Sequence, residues 1–191
     1  KIMVRIGSHA DFSEELTQAV DAFCATYDAI VCCDHTSGYR GKYEVHSQIL
    51  CAQNQWASPL TKTSLSIHIG EVSGDGFICS ANHVWRVNPD GALRDTFGNL
   101  RRVFMMPEIE FFKHYAKEAA SHHEYLDSLN QEIESVKAQI PELPFSNIWM
   151  ARHMVDKVPA GCEIHFGIYH SLRSWNFFKL PAGIQAKCNV G

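Results

Sequence analysis

The residues that could do chemistry follow the strands that the sequence predicts, where open α/β sheets place their ligands. His9 comes directly after a predicted strand, Ile2–Ile6. Asp34 and His35 come directly after another, Ala29–Cys33, whose continuous apolar run is typical of a strand buried on both faces. An imidazole can transfer protons near neutral pH. We therefore take His9, Asp34 and His35 as candidate ligand-loop residues.

A second pattern suggests a metal-bound cofactor. Gly74-Asp75-Gly76 precedes Asn99 at about the distance found in the motif that holds magnesium and thiamine diphosphate. However, Leu100 stands where that motif has a second asparagine, and a strand and a Pro-Asp-Gly turn lie in between. We interpret Gly74–Gly76 as part of a polar loop at the end of a strand.

Other motifs for metal or nucleotide binding are weak or missing. Cys32 and Cys33 are adjacent, so in a strand their thiols point in opposite directions and favour packing over metal binding. His122 and His123 fit a solvated helix face. No glycine-rich phosphate loop follows the first strand, which argues against a dinucleotide at the usual place. We predict neither a catalytic residue nor a metal ligand within the chain.

Composition narrows the class of protein. The 191 residues include 17 basic and 21 acidic side chains and carry a net charge of −4, so nucleic acid is not an expected partner. No apolar run approaches the ~20 residues that cross a bilayer, so we expect no membrane association. Seven cysteines are an odd number and several lie in apolar segments, which favours reduced thiols and a cytoplasmic location.

The periodicity alternates strands with helices and predicts a Rossmann-like three-layer αβα domain with a parallel, roughly six-stranded sheet. Further strands are predicted at Leu65–Ile69, His83–Val87 and Arg102–Met106. Helices are predicted after an Asp11 cap, over Val45–Gln53, from Pro107 to about Gln139 as an outer or broken helix, and from a Ser146 cap through Lys157.

The last part of the chain predicts a β-turn-α-β unit. Glu163–Phe166 and Ile184–Cys188 have strand patterns, and Leu172–Phe178 is a short amphipathic helix that Ser171 could cap. Because the sequence begins and ends next to strand patterns, we expect residues 1–191 to be a single domain of a larger protein.

This closing unit resembles the central domain of thiamine diphosphate-dependent enzymes. Within that class it most resembles the menaquinone-pathway synthase that makes 2-succinyl-5-enolpyruvyl-6-hydroxy-3-cyclohexene-1-carboxylate from 2-oxoglutarate and isochorismate. That family shows Asn-Ser-Leu-Pro-Val-Arg after a strand and Ser-Asn-Arg-Gly further on. Ser171 and Leu172 match the first motif, and Asn189 and Gly191 match the second. The resemblance implies that Ser171, Arg173 and Asn189 lie near the substrate of the assembled enzyme.

Two departures from the family pattern concern the substrate. Trp175 and Val190 stand where the family has the arginines that are thought to contact the anionic substrate. Neither an indole nor an isopropyl group can form the bidentate, charge-assisted bonds that a guanidinium makes to a carboxylate. Arg173 is displaced from the first arginine by two positions. These departures argue against isochorismate as the substrate.

The resemblance implies a scaffolding domain with no catalytic activity of its own. Thiamine diphosphate and magnesium would be held by the pyrimidine- and pyrophosphate-binding domains of the same parent chain, which would form a homo-oligomer and act on a 2-oxo acid. Two alternatives stay open. One is a stand-alone module that binds a nucleotide or small ligand through the loops at residues 7–11, 34–43 and 71–80. The other is a structural domain that forms subunit contacts through residues 107–139.

Overall fold

The computed structural model of the chain describes residues 1–9, 11–51, 58–73, 80–117 and 121–189. The strands are β1 (Ile2–Ile6), β2 (Ala29–Cys33), β3 (Glu44–Val45), β4 (Lys62–Ile69), β5 (Ser80–Val87), β6 (Leu100–Phe104), β7 (Glu163–Gly167) and β8 (Gln185–Asn189). The α-helices are α1 (Glu14–Tyr27), α2 (Gln48–Cys51), α3 (Glu108–Tyr115), α4 (Glu124–Lys137), α5 (Asn147–Met154) and α6 (His170–Trp175). Short 3₁₀ helices cover His35–Ser37, Pro59–Thr61 and Val155–Lys157.

Six strands form one parallel sheet in the order β3-β2-β1-β4-β5-β6, and helices flank it. The predicted Rossmann-like α/β fold is confirmed. β2 is buried along its whole length, as its uninterrupted apolar sequence predicts. The sheet and helices share a core that includes Val4 on β1, Phe23 on α1, Phe111 on α3 and Leu129 on α4.

The first helix begins slightly later than predicted. Ser13, not Asp11, is the N-cap residue, and its hydroxyl accepts a hydrogen bond from the backbone N–H of Leu16 at 3.1 Å. A serine immediately before the first helical residue reaches the free N–H groups of the first turn, which explains why it replaces the aspartate. The predicted Ser146 cap of α5 is confirmed, with Trp149 N–H as the donor.

One predicted helix differs from the structure, and another takes the broken form that the sequence allowed. Where a helix was predicted over Val45–Gln53, Glu44–Val45 is instead the edge strand β3, and α2 covers Gln48–Cys51; residues 52 and 53 lie outside the described ranges. The pattern that predicted a long helix from Pro107 to Gln139 belongs to two helices, α3 and α4. Their apolar faces pack into this chain's own core.

The closing unit forms a separate sheet. β7 and β8 pair in parallel with each other and not with the six-stranded sheet. The unit has its own small core of Val155, Phe166, Leu172, Leu180 and Ile184. Its helix begins at His170 with Tyr169 in the N-cap position, so the predicted Ser171 cap is wrong. None of the described helices is long and apolar enough to cross a bilayer.

Candidate functional site

The sheet order puts the change of direction between β1 and β4, where open α/β sheets form a ligand crevice. Here the loops that follow these two strands are joined by backbone hydrogen bonds. Gly7 N–H donates to the Ile69 carbonyl at 3.0 Å, and Glu71 N–H donates to the Ser8 carbonyl at 3.1 Å. A Cβ atom at Gly7 would overlap the Glu71 carbonyl oxygen. In the described residues of these two loops, this close approach leaves the backbone no cradle for a phosphate.

His9 fills the same crevice. Its Nε2 lies 3.0 Å from Glu108 Oε2, and its Nδ1 lies 2.9 Å from the Gly7 carbonyl oxygen. The other oxygen of Glu108 accepts the backbone N–H of Gly70 at 2.9 Å. The imidazole also lies against Gly70, where a side chain would collide with it. One carboxylate therefore ties together the ends of β1 and β4 and the start of α3.

The protonation of His9 follows from this contact. Burial lowers the pKa of the imidazole, but the hydrogen bond and negative charge of Glu108, together with the Gly7 carbonyl, raise it above the ordinary value of 6.5. His9 is thus held as the positive partner of a largely buried ion pair. Its Nε2 proton faces Glu108, and its Nδ1 proton faces the Gly7 carbonyl oxygen.

Asp34 lies fully buried at the end of β2. One carboxylate oxygen accepts the Thr36 N–H at 2.7 Å and the Thr36 hydroxyl at 2.6 Å. The other accepts the hydroxyl of Ser73, which belongs to the loop after β4. The hydroxyls of Ser8 and Thr36 form a hydrogen bond of 2.7 Å. Asp34 therefore joins the loops that follow β1, β2 and β4.

His35 connects the six-stranded sheet to the closing unit. Its Nε2 lies 3.0 Å from the Trp175 carbonyl oxygen, and its backbone N–H donates to Asn176 Oδ1 at 3.3 Å. Burial first, and then the nearby His46 and Arg40, lower its pKa to about 3. The ring is therefore neutral at physiological pH, and Nε2 donates its proton to the carbonyl.

These contacts define a region that we name the sealed edge: residues 7–9, 34–37, 70–73 and Glu108. It holds all three predicted ligand-loop residues, His9, Asp34 and His35. Each has polar atoms bonded to other groups of the protein. The hydrogen bonds there join loops of the chain to one another, which favours a structural role over ligand binding.

The predicted substrate residues lie at a different edge, at the carboxyl ends of β7 and β8. Asn189 Oδ1 accepts the Ile168 N–H at 3.0 Å, which links the two strand ends. The exposed Ser171 stands beside Gly167. The Arg173 guanidinium lies 5.1 Å from the centre of the Tyr169 ring. The structure therefore brings Ser171, Arg173 and Asn189 to one end of the closing unit.

We name this region the open edge: residues 167–173 and Asn189. Tyr169 has a positive φ of 69° and is 55% exposed. Side chains other than glycine adopt such a conformation at a cost of about 1–3 kcal/mol, and such strain concentrates at binding sites. The Arg173 Nε is buried without a hydrogen-bond partner. Exposed polar groups and an incompletely bonded guanidinium make this edge the better candidate binding site.

The remaining predicted residues do not join the open edge. The Trp175 ring packs on Phe166, with 5.4 Å between ring centres, as part of the closing unit's core. Asn99 donates its side-chain amide to the Ala81 carbonyl at 3.1 Å. Gly74–Gly76, Val190 and Gly191 lie outside the described residues. Within the described ranges no group of three or more His, Cys, Asp or Glu side chains could hold a metal ion.

Sequence reasoning missed Glu108 and Ser73, which close the sealed edge, and Asn176, which joins His35 to the closing unit. Glu108 offered a weak signal, because an acidic residue directly after Pro107 is typical of a first helical turn. Its contact with His9 spans 99 positions along the chain, which no local pattern reveals. Ser73 and Asn176 gave no signal of their own.

Fold and site together define a Rossmann-like α/β domain, closed at its usual ligand crevice, with a second parallel unit attached. No family model matches the sequence. Two curated relatives match, the 2-succinyl-5-enolpyruvyl-6-hydroxy-3-cyclohexene-1-carboxylate synthases of two strains of Bacteroides fragilis. Each is 28% identical over 114 residues, which cover 56% of this chain and 19% of the relative.

The chain thus spans about a fifth of the length of these relatives. The match supports a distant relationship to that synthase and to the thiamine diphosphate-dependent enzymes that the sequence resembles.

Proposed function

We propose that this chain is the central domain of a thiamine diphosphate-dependent enzyme that acts on a 2-oxo acid. The match to the two synthases supports the enzyme class, and the Rossmann-like fold agrees with it. The parent would decarboxylate the acid and then either protonate the product or transfer it to an acceptor. Thiamine diphosphate, when bound, supplies the electron sink for that decarboxylation.

The described residues do not fit a site for the cofactor itself. They offer no phosphate cradle at the sealed edge and no cluster of metal ligands. We assign thiamine diphosphate and magnesium to pyrimidine- and pyrophosphate-binding domains of the same parent chain, in a homo-oligomer. The six-stranded sheet would act as a scaffold, and this chain alone would be catalytically silent.

The observation that carries the proposal is the composition of the open edge. A hydroxyl at Ser171, an amide at Asn189 and a guanidinium at Arg173 are groups that can bind the carboxylate of a 2-oxo acid. Ser171 and Asn189 are exposed, and the Arg173 Nε still has an unused hydrogen. These three residues would face the active site once the other domains are in place.

The same geometry argues against isochorismate as the acceptor. Trp175 turns its indole into the core of the closing unit, against Phe166, and not toward the open edge. A single guanidinium, that of Arg173, is then available in the described part of this edge. A substrate with several carboxylates would need more positive charge, so we propose a smaller 2-oxo acid and a different acceptor.

A stand-alone nucleotide-binding module fits the structure less well. It would use the loops of the sealed edge, where Gly7 touches Glu71 and His9 occupies the crevice. A contact domain built on residues 107–139 also fits poorly, because α3 and α4 bury their apolar residues in this chain's own core.

The test is to express the protein with the sequence that flanks this chain in its gene and to measure CO₂ release from a panel of 2-oxo acids. We expect release that requires both thiamine diphosphate and Mg²⁺, and none from residues 1–191 alone. Calorimetry with thiamine diphosphate provides a binding readout that does not depend on the choice of substrate. The proposal would be overturned if the protein expressed with its flanking sequence neither binds thiamine diphosphate nor releases CO₂.

A further inference from the structure

One face of the six-stranded sheet carries a row of buried basic side chains. Arg5 on β1, His68 on β4 and Arg86 on β5 occupy neighbouring register positions of three adjacent strands. Residues paired in this way point to the same side of a sheet. The exposed fractions are 1% for Arg5, 2% for His68 and 1% for Arg86. Guanidinium groups are rarely buried to this extent unless they are paired.

Arg86 uses only part of its hydrogen-bonding capacity. Its Nη1 donates to His68 Nδ1 at 3.1 Å and to the Gly70 carbonyl at 3.4 Å. Its Nε and Nη2 are buried without a hydrogen-bond partner. No carboxylate in the part of the chain that the structure describes forms an ion pair with it. Arginine does not lose its proton in proteins, so this charge cannot be relieved by deprotonation.

A further unpaired donor lies on the same face. Ser66 stands two residues before His68 on β4, so both side chains point to the same side, and its Oγ is also buried without a partner. Ser66 pairs in register with Val84, two residues before Arg86 on β5. The free hydrogens of Arg86 and Ser66 therefore belong to neighbouring positions of adjacent strands.

His68 adds polarity but no charge. A guanidinium can only donate, so His68 Nδ1 accepts and the ring proton is on Nε2. Burial, followed by the positive charges of Arg86 and Arg5, lowers its pKa to about 3. A neutral imidazole beside Arg86 avoids a further buried positive charge, but it does not neutralise the Arg86 guanidinium.

Phe97 lies over this face. Its ring centre is 4.9 Å from that of His68 and 4.3 Å from the Arg5 guanidinium. Phe97 belongs to the segment between β5 and β6, which forms turns and no helix or strand.

We propose that Arg86 and Ser66 bind a small oxyanion, a phosphate or carboxylate group, on this face of the sheet. The Nε and Nη2 hydrogens of a guanidinium form a fork that matches two oxygens of such a group. The Ser66 hydroxyl supplies a third donor. This site is separate from the open edge, and it does not depend on the proposed function.

The test measures the thermal unfolding of the chain as phosphate or acetate replaces chloride at constant ionic strength and pH. Binding to the folded state raises the melting temperature, by about 5–10 °C at a hundredfold excess over Kd. Phosphate also stabilises proteins through exclusion from their surface, and that contribution is shared by all variants. The comparison is therefore between the wild type, Arg86→Met and Arg101→Met.

Arg101→Met is the matched control. Like Arg86, Arg101 contacts a histidine of a neighbouring strand, with its Nε 3.4 Å from His83 Nδ1, but its side chain is exposed. We expect the melting temperature to rise saturably with anion concentration in the wild type and in Arg101→Met. In Arg86→Met we expect only the rise that comes from exclusion of phosphate from the protein surface. Ser66→Ala keeps the guanidinium and should weaken the fitted Kd about tenfold. Preference for phosphate or for acetate identifies the group that is bound.

Three results would each overturn the proposal. The first is the same dependence of the melting temperature on phosphate and acetate in the wild type and in Arg86→Met. If Arg86→Met does not fold, the deciding result is a Kd for Ser66→Ala equal to that of the wild type. No saturable response to either anion in the wild type would also exclude the site.

Discussion

The sealed edge and the open edge are both carboxyl ends of parallel strands, yet they differ in how their polar groups are used. At the sealed edge, His9, Asp34 and Glu108 form hydrogen bonds to loops of the same chain. At the open edge, Ser171 and Asn189 are exposed and Arg173 retains an unused N–H. The comparison shows that the same position in a parallel sheet can have its polar groups bonded within the chain or leave them exposed.

The glycines of the two edges give the largest expected contrast. Gly7→Ala places a Cβ against the Glu71 carbonyl oxygen, which is backbone and cannot turn away. We expect a loss of about 4 kcal/mol in the free energy of unfolding. Gly167→Ala meets the Ser171 side chain at ordinary contact distances, 3.4 Å from Oγ and 3.8 Å from Cβ, and should lose less than about 1 kcal/mol. Urea unfolding measures both, and equal losses would contradict the distinction between the edges.

Removing the carboxylate that closes the sealed edge should have the next largest effect. Glu108→Ala leaves the Gly70 N–H and the His9 imidazole without their partner in a largely buried position. We expect a loss of about 3 kcal/mol in the free energy of unfolding. Glu110→Ala, in the same helical turn but exposed, is the control and should stay within about 0.5 kcal/mol of the wild type. A loss as small as that of the control would show that the edge is not held by Glu108.

The pH dependence of stability should sharpen the account of His9. Because its pKa in the folded state is raised above 6.5, the folded protein binds this proton more tightly than the unfolded chain does. The stabilisation is complete below pH 6.5 and is lost as the pH rises through the folded pKa. His9→Gln should therefore remove part of the fall in stability above that pH. An unchanged slope in chemical denaturation across this range would refute the assignment.

His35 should act in the opposite direction. Because its pKa is about 3 in the folded state, His35 takes up a proton in the unfolded chain between pH 6.5 and 3 but stays neutral in the folded protein. Its contribution is complete above pH 6.5 and is lost as the pH falls toward 3. His35→Gln should flatten the decline in stability over this acidic range, as followed by denaturation at a series of pH values. A decline as steep as that of the wild type would mean that His35 titrates normally.

The smallest effect is expected at the open edge. Asn189→Ala removes one exposed hydrogen bond, the one from Ile168 N–H. We expect a loss of no more than about 1 kcal/mol in the free energy of unfolding. A loss comparable to that of Glu108→Ala would show that this edge, too, is mainly structural.

The sequence predicted the elements whose signal is local. The apolar runs of β1 and β2 and the Ser146 cap are visible in a few consecutive residues, and all three are confirmed. β3 was missed because two residues carry no readable alternation, and its helix-like neighbours dominated the pattern. Alternation also cannot tell which sheet a strand joins, so the separate pairing of β7 and β8 came only from the structure.

The candidate sites were predictable to different degrees. Position after a strand located His9 and Asp34, and a motif resemblance located Ser171 and Asn189. Whether such groups are free or already bonded depends on contacts between distant parts of the chain, such as His9 with Glu108. The buried Arg86 was hidden for the same reason, because a charged residue in a strand pattern reads as an outward-facing position.

The most direct test of the central claim is the kcat/KM for the 2-oxo acid in the protein that carries its flanking sequence, compared between Arg173→Met and His9→Gln. We predict that Arg173→Met lowers kcat/KM about thirtyfold while the melting temperature stays unchanged. His9→Gln should lower the melting temperature but leave kcat/KM per folded molecule as in the wild type. Arg152→Met, on α5 and exposed, serves as the control for loss of positive charge. The account would be contradicted if His9→Gln lowered kcat/KM and Arg173→Met did not.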